Sequence, residues 1–365
     1  MRYINIYLST TPEDRADRPP RYILNFKNLK KEIKEYENEL EEIENLILNP
    51  YFLENEGGLP VYSIALFLDI KTKNLEIRKL PFKLPNKIII SRKPYINFIN
   101  YLESEFGRNL IVNYSHKNLK IFIVDSKGIH TIEEDLSFTL PYIESGVYKT
   151  TLKSSSKPVV RTIGGQNIEN VISEYERKIS KYILQRIEEI VNRFKIDRIF
   201  ISTPDEKSGN LVLSYFPKYI ERMFFGFLRT EHNNKEQIFR KLIEKLEEID
   251  IKEEEKLFEE FREKLGNGLA TIGIENVVKH ALMYNIRTLI VNLNFHHNGY
   301  VCHSNGLFYH KEFDFPCEDI EVLKDITDYL IDFVIENGGN VEIAHTLKLN
   351  ELISNEIGAI LRFRV

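Results

Sequence analysis

Apolar positions recur at three- and four-residue intervals over residues 28–48, where Leu29, Ile33, Tyr36, Leu40, Ile43 and Ile47 are separated by acids and lysines, the pattern of a surface helix. After the turn-forming string Glu56-Gly57-Gly58-Leu59-Pro60, short runs rich in Ile, Val, Phe and Tyr at 61–70, 74–82, 87–91, 109–114 and 119–125 predict strands, with a helix over 96–106 between them. The helical period returns at Ile168 and continues through Val171, Ile172, Tyr175, Ile179, Tyr182, Ile183, Ile187, Ile190, Val191 and Phe194, one side of a long helix. Strand-like runs come next at 198–202, 210–214 and 223–228, then a helix over 235–249. A highly charged helix over 251–265 ends at Gly266-Asn267-Gly268. Beyond it the pattern predicts helices over 275–284 and 319–336 and strands over 288–293, 340–344 and 357–363.

Strands alternating with helices imply a mixed α/β (α+β) chain, and 365 residues exceed what one compact core holds. The reading is three domains: a first α+β domain over 1–138, a middle domain over 139–250 that carries a Gly-Gly-Gln loop and the long helix, and a small α/β sandwich over 251–365. No apolar run approaches the roughly 20 residues that span a bilayer, and Met1-Arg2-Tyr3-Ile4-Asn5 lacks the pattern of a secretory signal. With only Cys302 and Cys317, disulfides cannot scaffold the fold, in keeping with a reducing cytoplasm.

Charge divides unevenly: residues 1–140 sum to 0, 141–250 to +3 and 251–365 to −8, which together give the net −5. Within the positive third, the 24 residues Ser145 to Ile168 hold Lys149, Lys153, Lys157 and Arg161 and no acid. Near the end of that stretch stands Gly164-Gly165-Gln166, in a chain with only three Gln. Two glycines without Cβ atoms let a backbone approach another molecule closely, and a bare cationic loop suits an RNA end. Arg177, Lys178, Lys181 and Arg186 continue the cations along the exposed side of the long helix. The plainer alternative is a turn that delivers Asn167 as a helix cap, with Glu169 in the first turn. A second basic stretch, Lys71, Lys73, Arg78, Lys79, Lys83, Lys87, Arg92 and Lys93 against the single acid Glu76, reads either as a phosphate-attracting surface or as a solvated strand edge. His296-His297 beside Asn298-Gly299 reads as a turn, and no phosphate-binding loop, metalloprotease helix or nucleophile elbow is present.

With these residues laid out, the chain resembles the archaeo-eukaryotic peptide-chain release factor superfamily, in its bacterial and archaeal release-factor-like branch. Gly164-Gly165-Gln166 ahead of a long helix matches that family's hydrolysis motif. Ile272 to Val277 with Ala281-Leu282 and Thr288 to Val291 is similar to the opening of its third domain, and Gly338 to Ile343 with Ile357 to Phe363 to the end of it. The Asn-Ile-Lys-Ser string used for stop-codon reading is absent, and Ile163 and Asn167 replace the usual Arg and Ser around the motif. Of the zinc ribbon found in many relatives only Cys302 and Cys317 remain. The histidines His296, His297, His303 and His310 do not have ribbon spacing, so no metal or other cofactor is expected.

The resemblance implies hydrolysis of peptidyl-tRNA on stalled ribosomes without stop-codon reading. Gly164 and Gly165 would let the loop enter the peptidyl-transferase centre, and Gln166 would donate its backbone N–H to the transition-state oxygen or leaving group. Lys149, Lys153, Lys157, Arg161, Arg177, Lys178 and Lys181 would hold tRNA and rRNA through phosphates. Besides the ribosome, a translational GTPase would engage the acidic last third. Two alternatives stay open: a non-catalytic hibernation factor that occupies the ribosomal A site, and a nuclease that cuts tRNA near its acceptor end.

Overall fold

The computed structural model describes residues 2–31, 33–54, 59–114, 118–137, 165–203, 206–230, 234–311 and 317–364, with the backbone alone at 34, 118, 133–137, 165–176 and 206–208. The chain divides into two compact units, one formed by Met1–Glu105 together with Leu246–Val365 and the other by Phe106–Lys245.

The first unit opens with β1 (Tyr3–Ser9), α1 (Pro12–Ala16), α2 (Arg21–Lys30), α3 (Glu37–Ile47), β2 (Ser63–Asp69), β3 (Leu75–Leu80), β4 (Lys87–Ser91) and α4 (Asn97–Phe106). The strands form an antiparallel sheet in the order β3-β2-β1-β4, with Ile6 opposite both Leu66 and Ile88. One face of the sheet buries Ile4, Ile6, Leu8, Ile64, Leu66 and Ile88 against Phe26, Leu40 and Ile43 of the helices. The other face buries Tyr7, Ala65, Phe67 and Ile89. Both faces being covered, β2 reads as a near-continuous apolar run instead of an alternating one. The single helix expected over 28–48 is two, separated by a 3₁₀ turn at Lys34–Tyr36, because Ile33 and Tyr36 turn into the same core and keep the helical period across a break in the backbone.

The second unit contains β5 (Asn109–Tyr114), β6 (Asn118–Asp125), β7 (Gly128–Ser137), α5 (Gly165–Arg193), β8 (Arg198–Ser202), α6 (Glu206–Leu213), α7 (Lys218–Glu221) and β9 (Phe224–Leu228). Its sheet runs β7-β6-β5-β8-β9, with β5, β8 and β9 parallel and β6 and β7 antiparallel to their neighbours. Leu110, Val112, Ile121, Ile199 and Ile201 pack under Ile179, Ile183, Ile187 and Ile190 of α5. Of residues 210–214, expected as a strand, 210–213 close α6 instead. Val212 enters the core, and Gly209 lies so close to Phe227 that an added Cβ would stand 2.5 Å from its ring.

α8 (Lys235–Gly266) carries the chain back to the first unit as one 32-residue helix where two were expected. Beyond it lie β10 (Ala270–Ile272), α9 (Ile274–Leu282), β11 (Ile286–Asn292), β12 (Gly299–Cys302), β13 (Leu307–Tyr309), β14 (Ile320–Leu323), α10 (Thr327–Glu336), β15 (Asn340–Ala344), α11 (Leu347–Leu352) and β16 (Ile357–Leu361). These strands make a mixed sheet, β10-β16-β11-β15, and a small antiparallel one, β13-β12-β14. The helix expected over 319–336 is a strand and then a helix, since Asp325 accepts the Thr327 N–H at 2.9 Å and starts α10 there. Glu254, midway along α8, is fully buried and accepts from the N–H groups of His345 and Thr346, each at 2.8 Å, and from the Thr346 hydroxyl at 2.6 Å.

Domain limits at 138 and 250 do not coincide with this division. Strands β5 to β7 pair with β8 and so join the middle segment, while the first and last segments share one core. In it Tyr7, Phe67, Tyr95 and Phe98 pack with Val277, Leu289, Ile326 and Leu330. A buried polar cluster fastens the same joint. Lys87 Nζ lies 2.8 Å from an Asp325 oxygen and 5.4–5.8 Å from the ring centres of Phe98, Tyr7 and Tyr95. The Phe98 N–H donates to Asp328 Oδ1 at 2.8 Å. Burial pushes the Asp328 carboxyl up to about 7. Burial, with Glu105 and the acids Glu254, Asp250 and Glu253 of α8 adding repulsion, pushes Glu342 up to about 8.

Candidate functional site

Lys149, Lys153, Lys157, Arg161 and Gly164 of the expected site lie outside the described residues. Gly165 and Gln166 are described as backbone, and they open α5. The helix therefore starts three residues before Ile168, where the apolar period begins. Asn167 is its third residue, not a cap ahead of it, and its first turn contains no acid. That geometry removes the reading in which Asn167 caps the helix and Glu169 faces its positive end.

The first amides of an α-helix have no carbonyl one turn back to accept them. In α5 these include the N–H groups of Gly165, Gln166 and Asn167, aimed along the axis at the positive end of the helix dipole. Such an end receives an anionic oxygen, whether of a phosphate or of a carbonyl under attack. Gly165 contributes no side chain to obstruct it.

Farther along, Ile179, Ile183, Ile187 and Ile190 are buried, and each such side chain contributes about 1.5–3 kcal/mol to holding α5 on its sheet. Arg177, Lys178 and Lys181 are exposed on the side away from these isoleucines. Arg186, expected among them, is half-buried and paired with Glu189.

The second basic stretch is absorbed locally. Lys73 pairs with Glu39, and Arg78 with Glu76 at 2.9 Å and Glu103 at 3.3 Å. Lys79 donates to the Glu54 carbonyl, Lys87 to Asp325 and Arg92 to Asp319, while Lys93 sits 4.9 Å above the Tyr329 ring. Six of the eight cations thus have structural partners, which favours a strand edge and its surroundings over a phosphate-binding surface.

The two cysteines held as metal candidates, Cys302 and Cys317, are joined in a disulfide, so neither offers a thiolate ligand. Of the histidines, His303 pairs with Glu321 at 2.7 Å, and His310 lies 4.0 Å from Glu275, its ring held below the usual imidazole range by burial. Among the described residues, no three His, Cys, Asp or Glu side chains gather as a metal site. No helix among them is long and apolar enough to cross a membrane. Sequence reasoning misses the disulfide pairing: Cys302 ends β12 and Cys317 stands just ahead of β14, the strand that pairs with β12.

No protein-family model matches the chain, and no curated protein matches it. Solved structures similar to it include translation termination-type factors. One is Dom34 of S. cerevisiae, described as a translation termination-like factor involved in RNA quality control pathways and interacting with Hbs1. It is 16% identical, with 84% of this chain and 85% of that chain covered and a TM-score of 0.39. The archaeal translation termination factor aRF1 is 12% identical over 99% of this chain and 92% of its own, with a TM-score of 0.26. Pelota of Archaeoglobus fulgidus is 11% identical over 86% and 82%, with a TM-score of 0.35. At these identities and TM-scores the likeness transfers no activity and no residue role.

Proposed function

We propose that this chain is a release-factor-like ribosome-rescue protein that hydrolyses peptidyl-tRNA on stalled ribosomes in the cytoplasm. The observation that carries the reading is the start of α5: Gly165 and Gln166 of the Gly-Gly-Gln motif stand in the first turn, where amides have no acceptor within the helix and no acid is present. Hydrolysis adds water across the ester between nascent peptide and tRNA ribose. Negative charge gathers on the carbonyl oxygen in the transition state, and the proton of water ends on the departing ribose hydroxyl. The Gln166 N–H stabilises that developing charge, Gly164 and Gly165 admit the ester to contact distance, and the ribosome supplies the surrounding ordered groups. Arg177, Lys178 and Lys181 hold phosphates of tRNA or rRNA, joined by Lys149, Lys153, Lys157 and Arg161 of the preceding loop. The last third, at net −8, offers its surface to a protein partner of the translational GTPase class.

The test is nascent-chain release from purified stalled ribosomes, with binding monitored separately by cosedimentation. Gln166→Pro, which removes the N–H donor at a position in the first turn where a helix tolerates proline, should lower release by about 10²–10³-fold, and Gly165→Ala, whose methyl crowds the approach of the ester, should lower it as well, while cosedimentation persists. Undiminished release by both variants sinks the proposal. Binding with no release by the wild type would identify an occupancy factor, and a tRNA product shortened at its 3′ end would identify a nuclease.

A further inference from the structure

We propose that Cys302 and Cys317 form a thiol–disulfide switch that tightens or loosens the joint between the first and last segments of the first unit. This inference does not rest on the proposed hydrolysis. Cys302 ends β12, pairs with Leu307 on one side and Ile320 on the other, and is fully buried. Cys317, fifteen residues on, is partly exposed just ahead of β14. The bond between them therefore fastens the entry of β14 to the end of β12.

Side chains at the start of β14 in turn hold the end of β4. The Arg92 N–H, just past β4, donates to Glu321 Oε1 at 2.8 Å, and the Arg92 guanidinium lies 2.7 Å from Asp319. The same Glu321 binds His303 at 2.7 Å, and the His303 N–H donates to the Asp319 carbonyl at 2.9 Å. Asp319 and Glu321 are two and four residues from Cys317, so the sulfur bond limits how far the acids that hold β4 can wander.

The two sulfurs differ in access, and that sets the chemistry. A thiolate from glutathione or a dithiol attacks the more accessible Cys317 sulfur, forming a mixed disulfide there while Cys302 departs as thiolate. The Ser304 hydroxyl, 3.0 Å from Cys302 Sγ, is placed to donate to it. A second thiol then attacks the mixed disulfide and frees Cys317. Two reductant thiols are oxidised to one disulfide, and the two cysteines end protonated.

The experiment tracks the full chain in buffers of reduced and oxidised glutathione by intact mass and by hydrogen exchange of peptides covering β12, β14 and residues 87–95. Reduction should add the mass of two hydrogens and speed exchange in these peptides by up to about 100-fold, the scale for releasing a 15-residue loop. Peptides of Phe106–Lys245 should not change. Cys302→Ser should take up one glutathione at Cys317, and Cys317→Ser should leave the buried Cys302 unmodified. If a serine variant fails to fold, the reduced wild type supplies the same comparison. Cysteines that stay as thiols in oxidised glutathione, or equal exchange in both states, would overturn the proposal.

Discussion

Replacing Glu254 removes a single carboxylate and strands three donors at once. Its two oxygens accept the N–H groups of His345 and Thr346 and the Thr346 hydroxyl, at 2.6–2.8 Å, and no part of the residue is exposed. Thr346 is also the residue from which α11 starts. A hydrogen bond to a charged group contributes about 1.5–3 kcal/mol, and a buried donor left without its partner costs about 1–3 kcal/mol. Because the three bonds share one acceptor they do not add, and Glu254→Ala should lose about 3–5 kcal/mol of local stability. Glu254→Gln keeps the shape and one carbonyl oxygen but turns an NH₂ group toward a donor, for a loss of about 2 kcal/mol. Unfolding of a chain with two units is not a two-state process. The assay is therefore native-state hydrogen exchange at the amides of α11 and β15, where about 3–5 kcal/mol appears as acceleration by a factor of about 10²–10³ or more. Exchange within about threefold of wild type in both variants would refute the reasoning that this carboxylate pins the segment.

The carboxyls of Asp328 and Glu342 are raised to about 7 and about 8, so the folded state favours their protonated forms. The stability they contribute is complete below their ordinary carboxylate range and is lost as pH rises through about 7–8. Urea midpoints of the first unit should fall between about pH 4 and pH 8 and level off above it, and Asp328→Asn should flatten that fall, whereas equal slopes in variant and wild type would contradict it. Asn167→Asp places the first acid in the opening turn of α5. It should stabilise the helix by about 0.3–1 kcal/mol yet slow peptide release, because the new charge repels the anionic oxygen; stability and release rising together would count against an anion site there.

Strands whose apolar runs are bounded by turns, such as Ser63–Asp69 and Ile286–Asn292, are legible because local composition decides them. β1 is not. Polar Asn5 interrupts it, and only the fold reveals that this side chain donates to the Ile89 carbonyl and the Ser91 hydroxyl and accepts from the Tyr95 N–H. Leu211, Val212 and Leu213 look strand-like for the same reason that they suit a helix buried on one side. Glu254 is invisible within a run of acids, since its partners lie about ninety residues away. At the candidate site the motif and the cations of α5 are legible. The start of the helix at Gly165 is not, because the apolar period begins only at Ile168. Lys87 and Arg92 look free for phosphate because Asp325 and Asp319 stand more than two hundred residues distant in the chain.

The discontinuity of the first unit has a consequence for synthesis. A chain emerging N-terminus first presents Tyr7, Ala65 and Phe67 long before Val277, Leu289 and Leu330 exist to cover them. The apolar cluster between α5 and its sheet, by contrast, is drawn entirely from residues of Phe106–Lys245. The segment that bears the glycines can thus mature while its elder neighbour still waits, half-clothed, for the youngest residues to arrive.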